Sequence, residues 1–269
     1  MDILPMNESQ AVLTRKRFIS VMAQGFSGYM LQPFLNKAIK QSSSTIKAVA
    51  FDAFALFDTR SVADTAEALF PGRSTELMTL WRTRQFEYCW LRTISKQYKD
   101  FFGITEDALA FTTEYLKLEL TAERKSRIMQ SVLDMRFTSD ATAALRELKK
   151  MSLKLCILSN ATPNMLDRAI TNSSAENLLD FVISTDRIRS YKPDPAAYQL
   201  AIDACKVDKK DILFVAFGGW DAAGAKSFGF PTAWINKLNL PNEQLDRKPD
   251  FICDSLGQLK TYIQSINGR

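Results

Sequence analysis

Three features of the sequence predict an α/β fold: a parallel sheet with a helical insertion after its first strand and a helical extension at the N-terminus. Short apolar runs of four to six residues recur between positions 46 and 253. Amphipathic helical patterns separate them, and strand alternating with helix is the signature of a parallel sheet covered on both faces. The long gap between the first two runs holds helical periodicity only.

Residues 1–45 differ from the rest. Arg15, Lys16 and Arg17 precede Phe18, Val21, Met22, Gly25, Phe26, Tyr29 and Met30 at helical spacing, and Pro33 then interrupts the pattern. Gln24, Gly25, Ser27, Gly28, Gln32 and Pro33 make the stretch too polar for a membrane span, so no stable membrane insertion is expected. An extension packed on the body or on a second subunit, a transit peptide and an interfacial helix are the three readings that fit it. The expected compartment is cytoplasmic, or mitochondrial if the basic stretch is a transit peptide. Gln41-Ser-Ser-Ser-Thr45 reads as a linker.

From Ile46 the pattern becomes a buried strand, Ile46-Lys-Ala-Val-Ala-Phe51, ending at Asp52. Similar runs lie at 153–158, 181–184, 212–217, 232–235 and 250–253, with helical patterns at 140–150, 164–171, 196–205, 222–228 and 256–266. Between the first strand and Leu153 no strand is expected, and helices are expected near 62–69, 76–98, 106–118 and 122–134. The expected organisation is an N-terminal extension over 1–45, a core over 46–60 and 136–269, and a helical cap over 61–135. In an open α/β sheet ligands bind beyond the carboxyl ends of the strands, where such an insertion forms a lid.

Composition narrows the chemistry. The 269 residues include 0 His, which excludes Ser-His-Asp hydrolysis, Cys-His proteolysis and His-based zinc sites. The net charge of +5 is concentrated near the N-terminus: residues 9–51 carry six basic residues and no acid, leaving a single net positive charge on 52–269. A nearly neutral body argues against a nucleic-acid partner. Cys89, Cys156, Cys205 and Cys253 form no CxxC pair, so neither a zinc knuckle nor a redox motif is expected, and Cys156 and Cys253 read as buried thiols.

Polar residues follow the apolar runs where a site would form: Asp52, then Ser159 and Asn160, then Lys192, then Asp221. Each alone equally suits a loop or a helix cap. Together, a carboxylate, a hydroxyl, an amide and an ammonium on successive strands would converge on one crevice.

In this order they resemble the haloacid dehalogenase superfamily, specifically its L-2-haloacid dehalogenase (type II) branch, from about Ile46 to Ile266. The matching segments are Ala50-Phe-Asp-Ala-Phe54, Leu80-Trp-Arg-Thr-Arg-Gln-Phe-Glu-Tyr-Cys-Trp-Leu-Arg92, Ile157-Leu-Ser-Asn160, Tyr191-Lys-Pro-Asp194 with Tyr198, and Trp220-Asp-Ala-Ala-Gly-Ala225, continuing to Trp234-Ile-Asn236. The resemblance implies a Rossmann-like core with a cap. It implies that Asp52 displaces halide at the α-carbon to form an ester, which water then hydrolyses. Arg82 and Asn160 would receive the halide, and Ser159 would hold the substrate carboxylate. Lys192 would neutralise charge near Asp52, Asp221 would orient Lys192 or the water, and Tyr198 would help shape the pocket. Phe54 and Trp220 complete the expected substrate-binding set. The implied partner is a small organic acid; a homodimer is expected by likeness alone, with no cofactor and no metal. The superfamily's phosphatases carry a second Asp two residues after the nucleophile, but Phe54 stands there, and Gly218 and Gly219 leave Asp221 alone where a magnesium site would need more acids.

Two departures fall in the site. The family's Asp-x-Tyr-Gly-Thr-Leu-Phe-Asp loop is one residue shorter here, Asp52-Ala-Phe-Ala-Leu-Phe-Asp58, and lacks the Gly-Thr pair. The family's Ser-x-Asn before Ala-Trp-Asp is replaced by Ala216-Phe217-Gly218, which removes groups expected to position the hydrolytic water. Three functions fit such a site. One is hydrolytic dehalogenation. Another is a repurposed enzyme doing proton transfer, elimination or cyclisation on a larger metabolite, as in secondary metabolism. The third is a catalytically weak binding protein. Ala216, Phe217 and Phe54 make the pocket more apolar, favouring a larger organic substrate.

Overall fold

The computed structural model describes residues 45–268; the expectation for the N-terminal extension therefore lies outside the described residues, apart from Thr45. Six strands form one parallel sheet: β1 (Ala48–Phe51), β4 (Lys154–Ser159), β5 (Phe181–Ser184), β6 (Ile212–Ala216), β7 (Thr232–Ile235) and β8 (Phe251–Cys253), in the order β5-β4-β1-β6-β7-β8. Every residue of β1 is fully buried, as a continuous apolar strand in the middle of a two-sided sheet must be.

Helices cover both faces. α6 (Ser139–Lys149), α7 (Pro163–Asn172) and α10 (Gln258–Asn267) bury Leu145, Leu166 and Ile263 in one apolar core; α8 (Pro195–Cys205) and α9 (Gly219–Phe228) bury Tyr198 and Ala225 in the other. Successive strands run outward from β1 in opposite directions, β4 to β5 and β6 to β8. The chain reversal at β1 opens a crevice at the carboxyl ends of β1, β4 and β6.

Between β1 and β4 lie α1 (Ala53–Leu56), α2 (Arg60–Leu69), α3 (Ser74–Ser95), α4 (Phe101–Tyr115) and α5 (Ala122–Leu133). One correction arises here. The gap is not free of strands: β2 (Phe57–Asp58) and β3 (Arg136–Phe137) pair antiparallel on either side of α2–α5. A two-residue strand is too short to show an alternating pattern.

The buried residues Ser74, Leu77, Trp81, Gln85 and Cys89 recur at three- and four-residue spacing along α3, the spacing of a single helix face. α3 begins with the Arg73–Glu76 ion pair and stops at Lys96, whose φ of 56° is left-handed. α4 starts at an Asp100 cap that accepts from the Gly103 amide at 2.8 Å. Among the described residues no helix is long and apolar enough to cross a membrane.

Candidate active site

Asp52 leaves β1 with its amide donating to the Val215 carbonyl of β6 at 2.9 Å. The shortened loop after it folds as a single helical turn, α1, with Asp52 as its cap. One carboxylate oxygen, Oδ1, lies 3.3 Å from Lys192 Nζ and takes a long 3.5 Å contact from the Phe54 amide. Its Oδ2 has no partner among the described residues.

Lys192 is 1% exposed, so its charge requires partners. Its Nζ donates to Asp221 Oδ2 at 2.5 Å as well as facing Asp52. Burial pulls the ammonium's pKa down, but the two carboxylates outweigh it and the net shift is upward. Asp221 is fully buried, and this burial, partly offset by Lys192, raises its carboxyl to about 6.

The Lys192 backbone is fixed by Asn160, whose Oδ1 accepts from the Lys192 amide at 2.9 Å and from Thr185 Oγ1 at 3.2 Å. The buried Asn160 Nδ2 has no hydrogen-bond partner among the described residues and retains its full capacity to donate. Ser159, also buried, accepts from the Ala161 amide at 3.1 Å, leaving its own hydroxyl hydrogen available.

From α3, Arg82 reaches toward the same place. Its guanidinium stacks over Phe54 at 5.7 Å and Phe217 at 5.0 Å, with no ion pair or hydrogen bond among the described residues. Burial lowers its pKa, opposed by the Asp52 charge, and an arginine stays protonated regardless. An unpaired, largely desolvated cation facing a carboxylate is built to receive an anion. The neighbouring Arg84 and Arg92 instead pair with Glu87 and Asp107.

Asp52, Asn160, Lys192, Asp221, Ser159 and Arg82 therefore belong to one locality, and Phe54 lines a cavity beside Arg82. Tyr198 lies elsewhere than expected. It is fully buried behind Asp221, donates to Asp221 Oδ1 at 2.6 Å and packs on Phe214, Phe228 and Phe230. It shapes Asp221 rather than the pocket, because its whole ring is enclosed in the core beneath the sheet end. Trp220 packs against Phe86 and Trp90 of α3 at 5.0 and 5.5 Å. A Cβ at Gly218 would lie 2.8 Å from Trp220 Nε1, so the indole occupies space that a side chain at 218 would need.

Sequence reasoning passed over Thr185, which anchors Asn160, and the cavity residues Met78, Gln85 and Thr105. No sequence signal marked them, since they come from three separate segments. The fold also brings Cys156 and Cys205 together, with their sulfurs 3.7 Å apart.

Comparison with known proteins points the same way. Residues 33–229 match the model of the haloacid dehalogenase-like hydrolases. The chain is 40% identical to an (S)-2-haloacid dehalogenase of Pseudomonas sp. strain YL, over 83% of this chain and 97% of that protein. It is 36% identical to haloacetate dehalogenase H-2 of Moraxella sp. strain B, over 77% and 92%. Among solved structures, the L-2-haloacid dehalogenase of Xanthobacter autotrophicus with chloropropionic acid covalently bound superposes with a TM-score of 0.76 at 35% identity, covering 82% of this chain and 99% of that one. The L-2-haloacid dehalogenase RSc1362 does so with 0.80 at 40%, over 82% and 99%. A parallel sheet of this order, the polar residues at its strand ends and these similarities agree: the chain belongs to the haloacid dehalogenase-like hydrolases, in the L-2-haloacid dehalogenase branch.

Proposed function

We propose that this chain hydrolyses the carbon–halogen bond of a 2-haloacid through a covalent ester on Asp52. The observation that carries this is the Asp52 carboxylate itself: Oδ1 lies 3.3 Å from Lys192 Nζ, Oδ2 has no partner among the described residues, and the Asp52 charge acts on the unpaired Arg82. Oδ2 attacks the α-carbon, a C–O bond forms, and the halide leaves with the C–X electron pair toward Arg82 and Asn160 Nδ2. The Ser159 hydroxyl binds the substrate carboxylate. Holding the carboxylate of the small anion and receiving the departing halide orients the α-carbon for in-line attack.

Water then attacks Cγ of Asp52. The acyl C–O bond breaks, the 2-hydroxyacid departs and Asp52 is restored. One proton of the water goes to the departing oxygen and the other to the Lys192–Asp221 pair, whose carboxylate, raised to about 6, is a base matched to neutral pH.

Support comes from the relative crystallised with chloropropionic acid covalently bound and from the names of the curated relatives. A single turnover of (S)-2-chloropropionate in ¹⁸O-water is expected to label the Asp52 carboxylate, and Asp52→Asn to lower halide release by about three orders of magnitude or more. Turnover with label in the product and none in Asp52 overturns the ester.

A further inference from the structure

The turn between α3 and α4 is bonded to the core at two points. From the core side the Tyr191 hydroxyl donates to the Lys99 carbonyl, and from the turn the Tyr98 hydroxyl donates to Asp186 Oδ1. The two rings stack at 5.5 Å, and Tyr191, fully buried, also packs on Phe101 at the start of α4 with ring centroids 6.3 Å apart. Burial raises both phenols above the ordinary tyrosine range, so each remains a donor at neutral pH.

The turn is itself held to both of its helices. Arg92 of α3 donates to the Gln97 carbonyl at 3.1 Å, and Lys99 Nζ reaches both carboxylate oxygens of Asp107 in α4 at 2.8 Å. Fixing the turn therefore fixes α3, the helix that carries Arg82. On the core side, Tyr191 precedes Lys192 in the chain and Asp186 follows Thr185. Lys192 and Thr185 are the two donors to Asn160 Oδ1, the amide at 2.9 Å and the hydroxyl at 3.2 Å. Holding Oδ1 sets the plane of the Asn160 amide and with it the direction of the unpartnered Nδ2. Both ties thus end one residue from a group that orients Asn160.

We infer that Tyr98 and Tyr191 are positioning residues, which align Arg82 of the cap with Asn160 of the core so that the two receive one halide. The inference rests on the reading of Arg82 and Asn160 as the halide-receiving pair and adds what holds them in register. Misalignment weakens stabilisation of the departing charge rather than substrate binding. Chloride, the poorer leaving group, depends on that stabilisation more than bromide does.

The test measures single-turnover halide release from (S)-2-chloropropionate and (S)-2-bromopropionate in the wild type, Tyr98→Phe, Tyr191→Phe and Asp186→Ala. Each variant is expected to slow maximal chloride release by about tenfold, with the half-saturating concentration within about twofold, and to raise the bromide-to-chloride rate ratio about threefold or more. Tyr98→Phe combined with Asp186→Ala is expected to be no slower than either alone, because all three lack the same bond. A parallel arm, which needs no turnover, follows hydrogen exchange at the Lys192 amide, expected to be faster in every variant. Faster exchange in the variants of a protein that releases no halide supports the tie between the turn and the Lys192 segment, and the dehalogenase reading alone fails. Unchanged release rates, or equal slowing of both halides with Lys192 exchange unaltered, overturn the positioning role and leave the Asp52 chemistry standing.

Discussion

At the scale of single side chains, the Lys192 ammonium lies between the carboxylates of Asp52 and Asp221 and sets how each is used. Asp221 has its two oxygens taken by Lys192 and Tyr198 and no exposed surface, so it acts on the reaction through Lys192. Burial raises its carboxyl to about 6, while the Lys192 charge and the hydrogen bonds from Lys192 and Tyr198 pull the other way. The protonated form predominates below that value and the ionised form above it. The acid limb of kcat is accordingly expected near pH 6, with activity lost as pH falls. Tyr198→Phe removes one hydrogen bond to the ionised form, so Asp221 holds its proton to higher pH. The limb is then expected to move up by roughly one pH unit, with kcat falling more at pH 5.5 than at pH 8. A profile that keeps its limb and only scales down assigns Tyr198 a packing role alone.

At the scale of elements, two helices converge where that polar pair is buried. α8 carries Tyr198 and α9 carries Asp221, and they come close because Gly224 presents no side chain. A Cβ there would lie 2.6 Å from Tyr198 Oη and 2.7 Å from Pro193 Cβ. Gly224→Ala is therefore expected to cost about 1–3 kcal/mol, seen as a lower midpoint in urea, and to reduce kcat by displacing the Lys192 loop. An unchanged midpoint would show that the loop yields freely. The short segment after Asp52 also acts at this scale: it forms the single turn of α1, in which Phe54 stands beneath Arg82 and lines the cavity.

At the scale of the whole molecule, the described residues form a six-stranded sheet with helices on both faces. The Pseudomonas relative aligns over 97% of its length with 83% of this chain. Removal of residues 1–43 is expected to leave the thermal midpoint within about 2 °C and the halide-release kinetics unaltered. A drop of more than about 10 °C in a circular-dichroism melt would make that segment part of the fold. The sequence by itself determined the strand–helix alternation and Asp52 and Asn160 at strand ends, because a buried parallel strand demands a continuous apolar run and its end is marked by polar residues; Lys192 and Asp221 follow β5 and β6 at a distance, in the segment before α8 and in the first turn of α9. Boundaries of α2–α5 were legible to within a few residues for a related reason: helical faces repeat. Only the tertiary structure decided which carboxylate holds Lys192 most closely, that Tyr198 serves Asp221 from inside the core, that Trp220 fills the space over Gly218, and that three methionines from distant segments line one cavity. These depend on side chains far apart in the chain meeting across the sheet ends, and no local period in the sequence encodes such distances.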